Sequence, residues 1–424
     1  MRLSTVWKAI FLASAIDAAA GSWATLPSSA TIPIEEIQVT IPPESLRSLQ
    51  EDLSRVRDFP LTYENTQTDL RYGVNASWVA HSTAYWRESF DWPKFQERMN
   101  KHPNFIANLT TPAGDSMGVH FMGLFSQKAD AIPVAFFHGW PGAFLEFIDL
   151  LDVIKTQFNA SSSPYHIIVP SLPGFTLSSA PSPESSWGTA NTSALMDDLL
   201  LGLGFKSGYI AQGGDIGSFV ARTLAMTSES CKGIHLNMIP SIKPDSAPPV
   251  TNDSTITPQD REVLARSQEF IETQQAYAIL QGTKPSTLGF ALHNNPVGLL
   301  AWTGEKFMAW TDPSHPLGID RILQFVSMYH LTQTISRSFY SYRETSNTIT
   351  PVFTPSPYIS KPMGYSRFPY DNTGVPERWA RDLGNLTFYR AHSGGGHFAA
   401  LERPEQLWDD VTNFIKGAFP QGHF

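Results

Sequence analysis

An α/β fold with a mostly parallel sheet is what this sequence predicts, on three observations. Short apolar runs alternate with helical spacings through the middle of the chain. Each run stops at a glycine- or proline-rich turn. Apolar types make up 42% of the 424 residues, enough for a large buried core. Strands buried on both faces read as continuous apolar runs, and helices between them imply βαβ crossovers.

The elements follow in order. Arg2 and Lys8 precede an uncharged apolar run, Ala9 to Ile16, and small residues follow at Ala18 to Gly21. This pattern predicts a signal peptide over 1–22, although Asp17 makes it imperfect. Residues 30–130 form a first region, with helices predicted at Leu46 to Val56 and within Trp86 to Met99, and a strand at Val119 to Phe125. The strand–helix alternation starts at 131. Strands are predicted at Ile132 to Phe137, Tyr165 to Val169, Gly208 to Gln212 and Gly233 to Met238. Helices are predicted at Phe144 to Thr156, Ala194 to Leu203 and Ser218 to Met226. These complete a first core segment, 131–245. Residues 246–350 break the rhythm and read as a helical insertion, with a Pro/Ser/Asp-rich approach from Lys243 to Asp253. Alternation returns over 351–424, through a strand at Leu386 to Arg390 and a closing helix at Glu405 to Phe414.

Composition excludes several classes. The net charge is −9 and no long Lys/Arg run occurs, so nucleic acid is not an expected partner. A single cysteine, Cys231, permits no intrachain disulfide and no Cys-based zinc site. It reads as a small buried apolar residue. No metal or cofactor is expected. No apolar stretch reaches the ~20 residues that span a bilayer. Sequons at Asn75, Asn108, Asn159, Asn191, Asn252 and Asn385 join the leader in pointing to the secretory path and N-glycosylation. Assembly, as a monomer or a homodimer, is left open.

The strongest chemical signal is Gly213-Gly214-Asp215-Ile216-Gly217-Ser218, a small-x-nucleophile-x-small frame leaving a strand and opening a helix. Such an elbow needs glycines because neighbouring backbones nearly touch. It presents one side chain beside a helix N-terminus, where negative charge is favoured. Here that side chain is Asp215. A carboxylate is a poor catalyst of ester cleavage, but it can displace a leaving group at saturated carbon and form an alkyl-enzyme ester. Hydrolysis of that ester then needs a base and an oxyanion hole. His397, on Ser393-Gly394-Gly395-Gly396-His397-Phe398, suits the base. Asp371, in Phe368-Pro369-Tyr370-Asp371, suits the acid that orients it, ahead of Glu377 and Asp382. The backbone N–H groups of Trp140, in His138-Gly139-Trp140-Pro141-Gly142, and of Ile216 suit the oxyanion hole. His138, at a strand end, reads as a structural hydrogen-bonding residue. The chain order Asp215, Asp371, His397 resembles that of an α/β-hydrolase triad.

With Tyr277…Gln281-Gly282-Thr283-Lys284-Pro285 and Ser341-Tyr342-Arg343-Glu344, these motifs resemble the microsomal-type epoxide hydrolases of the α/β-hydrolase family over nearly all of residues 30–420. The resemblance implies an α/β-hydrolase core, a helical lid and an N-terminal wrapping region. It also implies two lid tyrosines, by position Tyr277 and Tyr342, that hydrogen-bond and protonate the epoxide oxygen. Tyr340 and Tyr329 compete for the second assignment. The expected reaction takes a small apolar epoxide and water to a vicinal diol without a cofactor. Three other readings stand beside it. A haloalkane dehalogenase would carry Trp where Ile216 stands. A catalytically silent binding protein would not need the triad. In a biosynthetic cyclase, an internal hydroxyl would open the ring instead of water.

Overall fold

Ten strands, among the described residues, join in one sheet. The computed structural model describes residues 11–13, 22–111, 114–239, 253–345, 357–421 and 424. Apart from Phe11–Ala13, residues 1–21 of the predicted leader lie outside them, as do Asn252 and most of the stretch from Lys243 to Asp253.

The first four strands are β1 (Phe11–Ala13), β2 (Ile34–Val39), β3 (Asn104–Thr110) and β4 (Ser116–Leu124). They pair antiparallel in sequence order, and β4 continues antiparallel onto β6 (Tyr165–Pro170). From there the sheet is parallel, in the order β6, β5 (Ile132–Phe137), β7 (Tyr209–Gly213), β8 (Cys231–Leu236), β9 (Ile359–Arg367), β10 (Gly384–Ala391). Every residue of β5, β6 and β7 is buried. That explains why these strands read as largely apolar runs and not as alternation.

The sequence reading finds only one strand in the first region, at Val119 to Phe125. The structure adds β2 and β3. Both carry polar residues inward or at their ends, which hides their period. Asn104 on β3 is fully buried, where its Oδ1 lies 3.0 Å from His120 Nε2 on β4. The polar atoms satisfy each other within the sheet.

Helices α1 (Pro43–Ser54), α2 (Ala76–Glu88) and α3 (Trp92–Met99) lie between β2 and β3. Asn75 and Asp91 cap α2 and α3 through backbone N–H groups of Trp78 and Lys94. The crossovers use α4 (Ile148–Gln157), α5 (Thr189–Gly202) and α6 (Asp215–Thr227). The insertion is helical throughout its described part: α7 (Pro258–Thr273), α8 (Ala276–Thr283), α9 (Pro285–His293), α10 (Pro296–Ala309), α11 (Ile319–Thr332) and α12 (Tyr340–Thr345). After β9 come α13 (Glu377–Leu383), then α14 (Ala399–Glu402) and α15 (Pro404–Ala418) beyond β10. The N-terminal helices pack on lid helices α10 and α11. Asp149 of α4 pairs with both Arg98 of α3 and Arg321 of α11, so one carboxylate ties N-terminal region, core and lid. Among the described residues no helix is long and apolar enough to cross a membrane.

Candidate active site

Loops at the C-terminal ends of β5, β7, β9 and β10 converge beneath the lid. In open parallel sheets this end is where ligands bind. The turn from β7 into α6 carries Asp215 at φ 45°, a left-handed conformation that a non-glycine residue adopts at a cost. Its glycines are steric necessities. A Cβ at Gly213 would stand 2.2 Å from the carbonyl oxygen of Gly217, and one at Gly217 would stand 2.0 Å from that of Phe137.

The backbone N–H of Trp140 donates to Asp215 Oδ1 at 2.8 Å. Asp215 Oδ2 lies 3.3 Å from His397 Nε2. The other ring nitrogen, Nδ1, meets Asp371 Oδ1 at 2.7 Å. The structure therefore brings the three predicted triad residues into one line. Burial alone would lower the pKa of His397. The carboxylates of Asp371 and Asp215 outweigh it and hold the imidazole well above its usual range. Ile216 sits in the first turn of α6 and lines the same cavity as Asp215.

Across that cavity stand Tyr277 of α8 and Tyr342 of α12, both buried. Their ring centroids are 5.8 Å apart at 74°, and their hydroxyls share a hydrogen bond. Burial first, and the nearby Asp215 charge among the further causes, push both phenols well above their ordinary pKa. They stay protonated donors at neutral pH. Trp140 stacks on Tyr277 at 5.3 Å and braces it. The cavity measures about 100 Å³, and its apolar wall includes Ile216, Phe219, Met238 and Phe270.

The competing residues lie elsewhere. Tyr329 donates to the Gly142 carbonyl at 2.7 Å, and Tyr340 bonds Thr192 Oγ1 at 3.1 Å. His138 accepts the Leu172 N–H on Nε2 and meets the Gly139 carbonyl through Nδ1, and burial lowers its pKa to about 4. This neutral, doubly bonded ring is a structural histidine. Glu377 is engaged by Arg381 on α13, which also carries Asp382. Cys231 is buried on β8, and burial pushes its thiol up to about 12.

Sequence reasoning missed four residues. Glu402 accepts backbone N–H bonds from Asp312, Gly396 and Phe398 at 2.8, 3.0 and 3.1 Å, which clamps the His397 loop. Asp312 holds the same loop through the Gly395 N–H at 2.9 Å. Trp310 packs edge-on against the imidazole at 5.2 Å, and its carbonyl accepts the His397 N–H. Glu146 is buried beside the triad. Its signal was present: a lone acid inside the apolar run Phe144-Leu145-Glu146-Phe147, directly after the oxyanion loop.

This sheet, with the Asp215–His397–Asp371 contacts at the C-terminal ends of its strands, defines an α/β-hydrolase fold with a carboxylate at the elbow. Comparison with known proteins agrees. The family described as epoxide hydrolase N terminus matches residues 34–147, and that described as alpha/beta hydrolase fold matches 132–280. A protein of Dothistroma septosporum named as an epoxide hydrolase is 39% identical, over 94% of this chain and 93% of its own. Epoxide hydrolase 1 of Oryctolagus cuniculus is 30% identical, over 90% and 88%. The solved structure of Aspergillus niger epoxide hydrolase superposes with a TM-score of 0.87 at 40% identity, covering 94% of this chain and all of that one. The chain belongs to the epoxide hydrolase family, of the microsomal type.

Proposed function

We propose that Asp215 attacks an epoxide carbon and that the resulting ester is hydrolysed to a vicinal diol. One observation carries this reading: a carboxylate at the elbow touches His397 and shares a cavity with two protonated phenols. Oδ2 attacks, while Oδ1 stays on the Trp140 N–H and becomes the ester carbonyl oxygen. Ring opening leaves an alkoxide, far more basic than a phenol, so Tyr277 and Tyr342 supply its proton. The imidazolium of His397 gives its own proton to the phenol pair, which restores both phenols and leaves the imidazole as a free base. It then takes a proton from water as the water oxygen bonds to Cγ of Asp215. The tetrahedral oxyanion forms at the Trp140 and Ile216 N–H groups. When the alkyl C–O link to Cγ breaks, the leaving oxygen takes the hydroxyl proton, which restores Asp215 as an anion. The aromatic and aliphatic wall favours a small apolar epoxide.

Two variants and labelled water test the sequence of steps. Asp215→Ala should form no alkyl-enzyme, and His397→Gln should accumulate one, both read by intact-protein mass spectrometry. In a single turnover of wild type in oxygen-18 water, the label should enter the Asp215 carboxyl and not the diol. Label appearing directly in the diol would mean that water opens the ring without the ester.

The chain is also proposed to enter the secretory path with its leader removed and its sequons glycosylated. Asn108, Asn159, Asn191 and Asn385 are exposed, which supports attachment there. Loss of mass on enzymatic deglycosylation, together with an N-terminus near residue 22, is the expected result for protein from a eukaryotic host.

A further inference from the structure

The mechanism above leaves one buried carboxyl beside the triad unused. Glu146 follows the oxyanion loop and folds back over it. A Cβ at Gly142 would lie 1.6 Å from Glu146 Oε1, so glycine at 142 is what makes room for this side chain. A surface acid has no reason to turn inward, because burial penalises it. Here burial pushes the carboxyl up to about 8, with backbone N–H groups of Gly139 and Ala143 opposing the shift.

What the side chain faces is specific. A second small cavity, about 10 Å³, shares Asp215 and His397 with the first but neither of its tyrosines. Glu146, Asp215, His397 and Asn237 are among its walls, so it is polar where it matters. That volume is close to the minimum for one water molecule, and a buried water needs two to four polar partners. The titratable groups whose charges reach Glu146 are His397 and Asp215, and Tyr329 feels its charge in turn.

We propose that Glu146 binds and orients the hydrolytic water, in the small cavity it shares with His397 and Asp215. This deepens the ester-hydrolysis reading and rests on it. Water held there stands between the imidazole that takes its proton and the Asp215 carboxyl it attacks, since both line the cavity. Glu146 fixes the second hydrogen-bonding direction of the water, so that a lone pair points at Cγ. Ring opening needs no water, so Glu146 acts in the second step alone.

The test separates the two steps by rapid-quench single-turnover kinetics with a simple aryl epoxide. In Glu146→Gln, which keeps the side-chain shape, ring opening should stay within about twofold of wild type. Hydrolysis of the alkyl-enzyme should slow by about tenfold or more, and the ester should accumulate. Hydrolysis within twofold of wild type in Glu146→Gln, or equal slowing of both steps, would overturn the proposal. His397→Gln is the control for the underlying reading. If it traps no ester, the covalent mechanism has failed; if it traps one and Glu146→Gln does not, only the role of Glu146 has.

Discussion

Carboxylates meet His397 on both ring nitrogens, and in the proposed reaction only one of them survives the first step as an anion. In that scheme Asp371 stays the partner of the ring throughout. Asp215 would lose its charge on becoming the ester. The pKa of His397 is raised in the resting enzyme because both anions favour the imidazolium, against the opposing effect of burial. Esterification removes one anion while burial persists, so the pKa must fall. The ring is thus converted to a base at the moment a base is required. Asp215→Asn mimics the esterified state without chemistry. The imidazole of that variant should titrate at lower pH than in wild type, read by NMR of the His397 ring. An unchanged or higher midpoint would show that Asp215 does not hold the proton there. The two phenols follow the opposite logic: burial keeps them neutral, which suits donors.

At the scale of elements, the β7–α6 turn concentrates the steric constraint. Gly217→Ala would drive a Cβ into the backbone of β5, which cannot move as a flexible side chain can. A loss on the order of 3 kcal/mol is expected, read from the urea midpoint, with the triad displaced as well. The same constraint made the turn legible, because only glycine fits and glycine is visible in a sequence. The central strands were legible for a related reason: burial on both faces makes them mostly apolar, with only single polar residues such as His166 and Gln212 inside the runs. Strands β2 and β3 were not, since Asn104 and Glu35 are paired or solvated in ways that only the neighbouring strand decides. Tyr342 was separable from Tyr340 and Tyr329 only by lid geometry, which sends the latter two to Thr192 and Gly142. Glu146 and Glu402 escaped because a lone acid near a helix start looks like a solvated or capping residue until the loop above it is known.

Across the whole molecule, buried ionisable groups set an optimum of stability against pH. Burial is the leading cause that lowers six histidines: His120 to about 3, His102, His138, His166 and His235 to about 4, and His330 in the same direction. Their ordinary value is near 6.5. Between about pH 4 and 6.5 the unfolded chain therefore binds protons at these rings that the folded chain refuses, and stability falls as pH falls through that window. Glu402 and Glu146 act in the opposite sense. Burial raises them to about 7 and 8, so the folded state holds their protons from about 4.5 upward and loses stability as pH rises towards those values. Six rings outnumber two carboxyls below pH 6.5, so the acid limb should climb with pH. Above that point the histidines of the unfolded chain are neutral. The two carboxyls, joined by the raised His397, then tilt the curve downward. Each net proton contributes about 1.4 kcal/mol per pH unit. The urea midpoint should accordingly peak near pH 6.5 to 7 and fall on both sides, more steeply towards acid. A midpoint flat from pH 5 to 8 would mean that these groups open to solvent before the fold is lost. Glu146→Gln removes one of the two titrating carboxyls and should soften the alkaline limb while leaving the acid limb as steep.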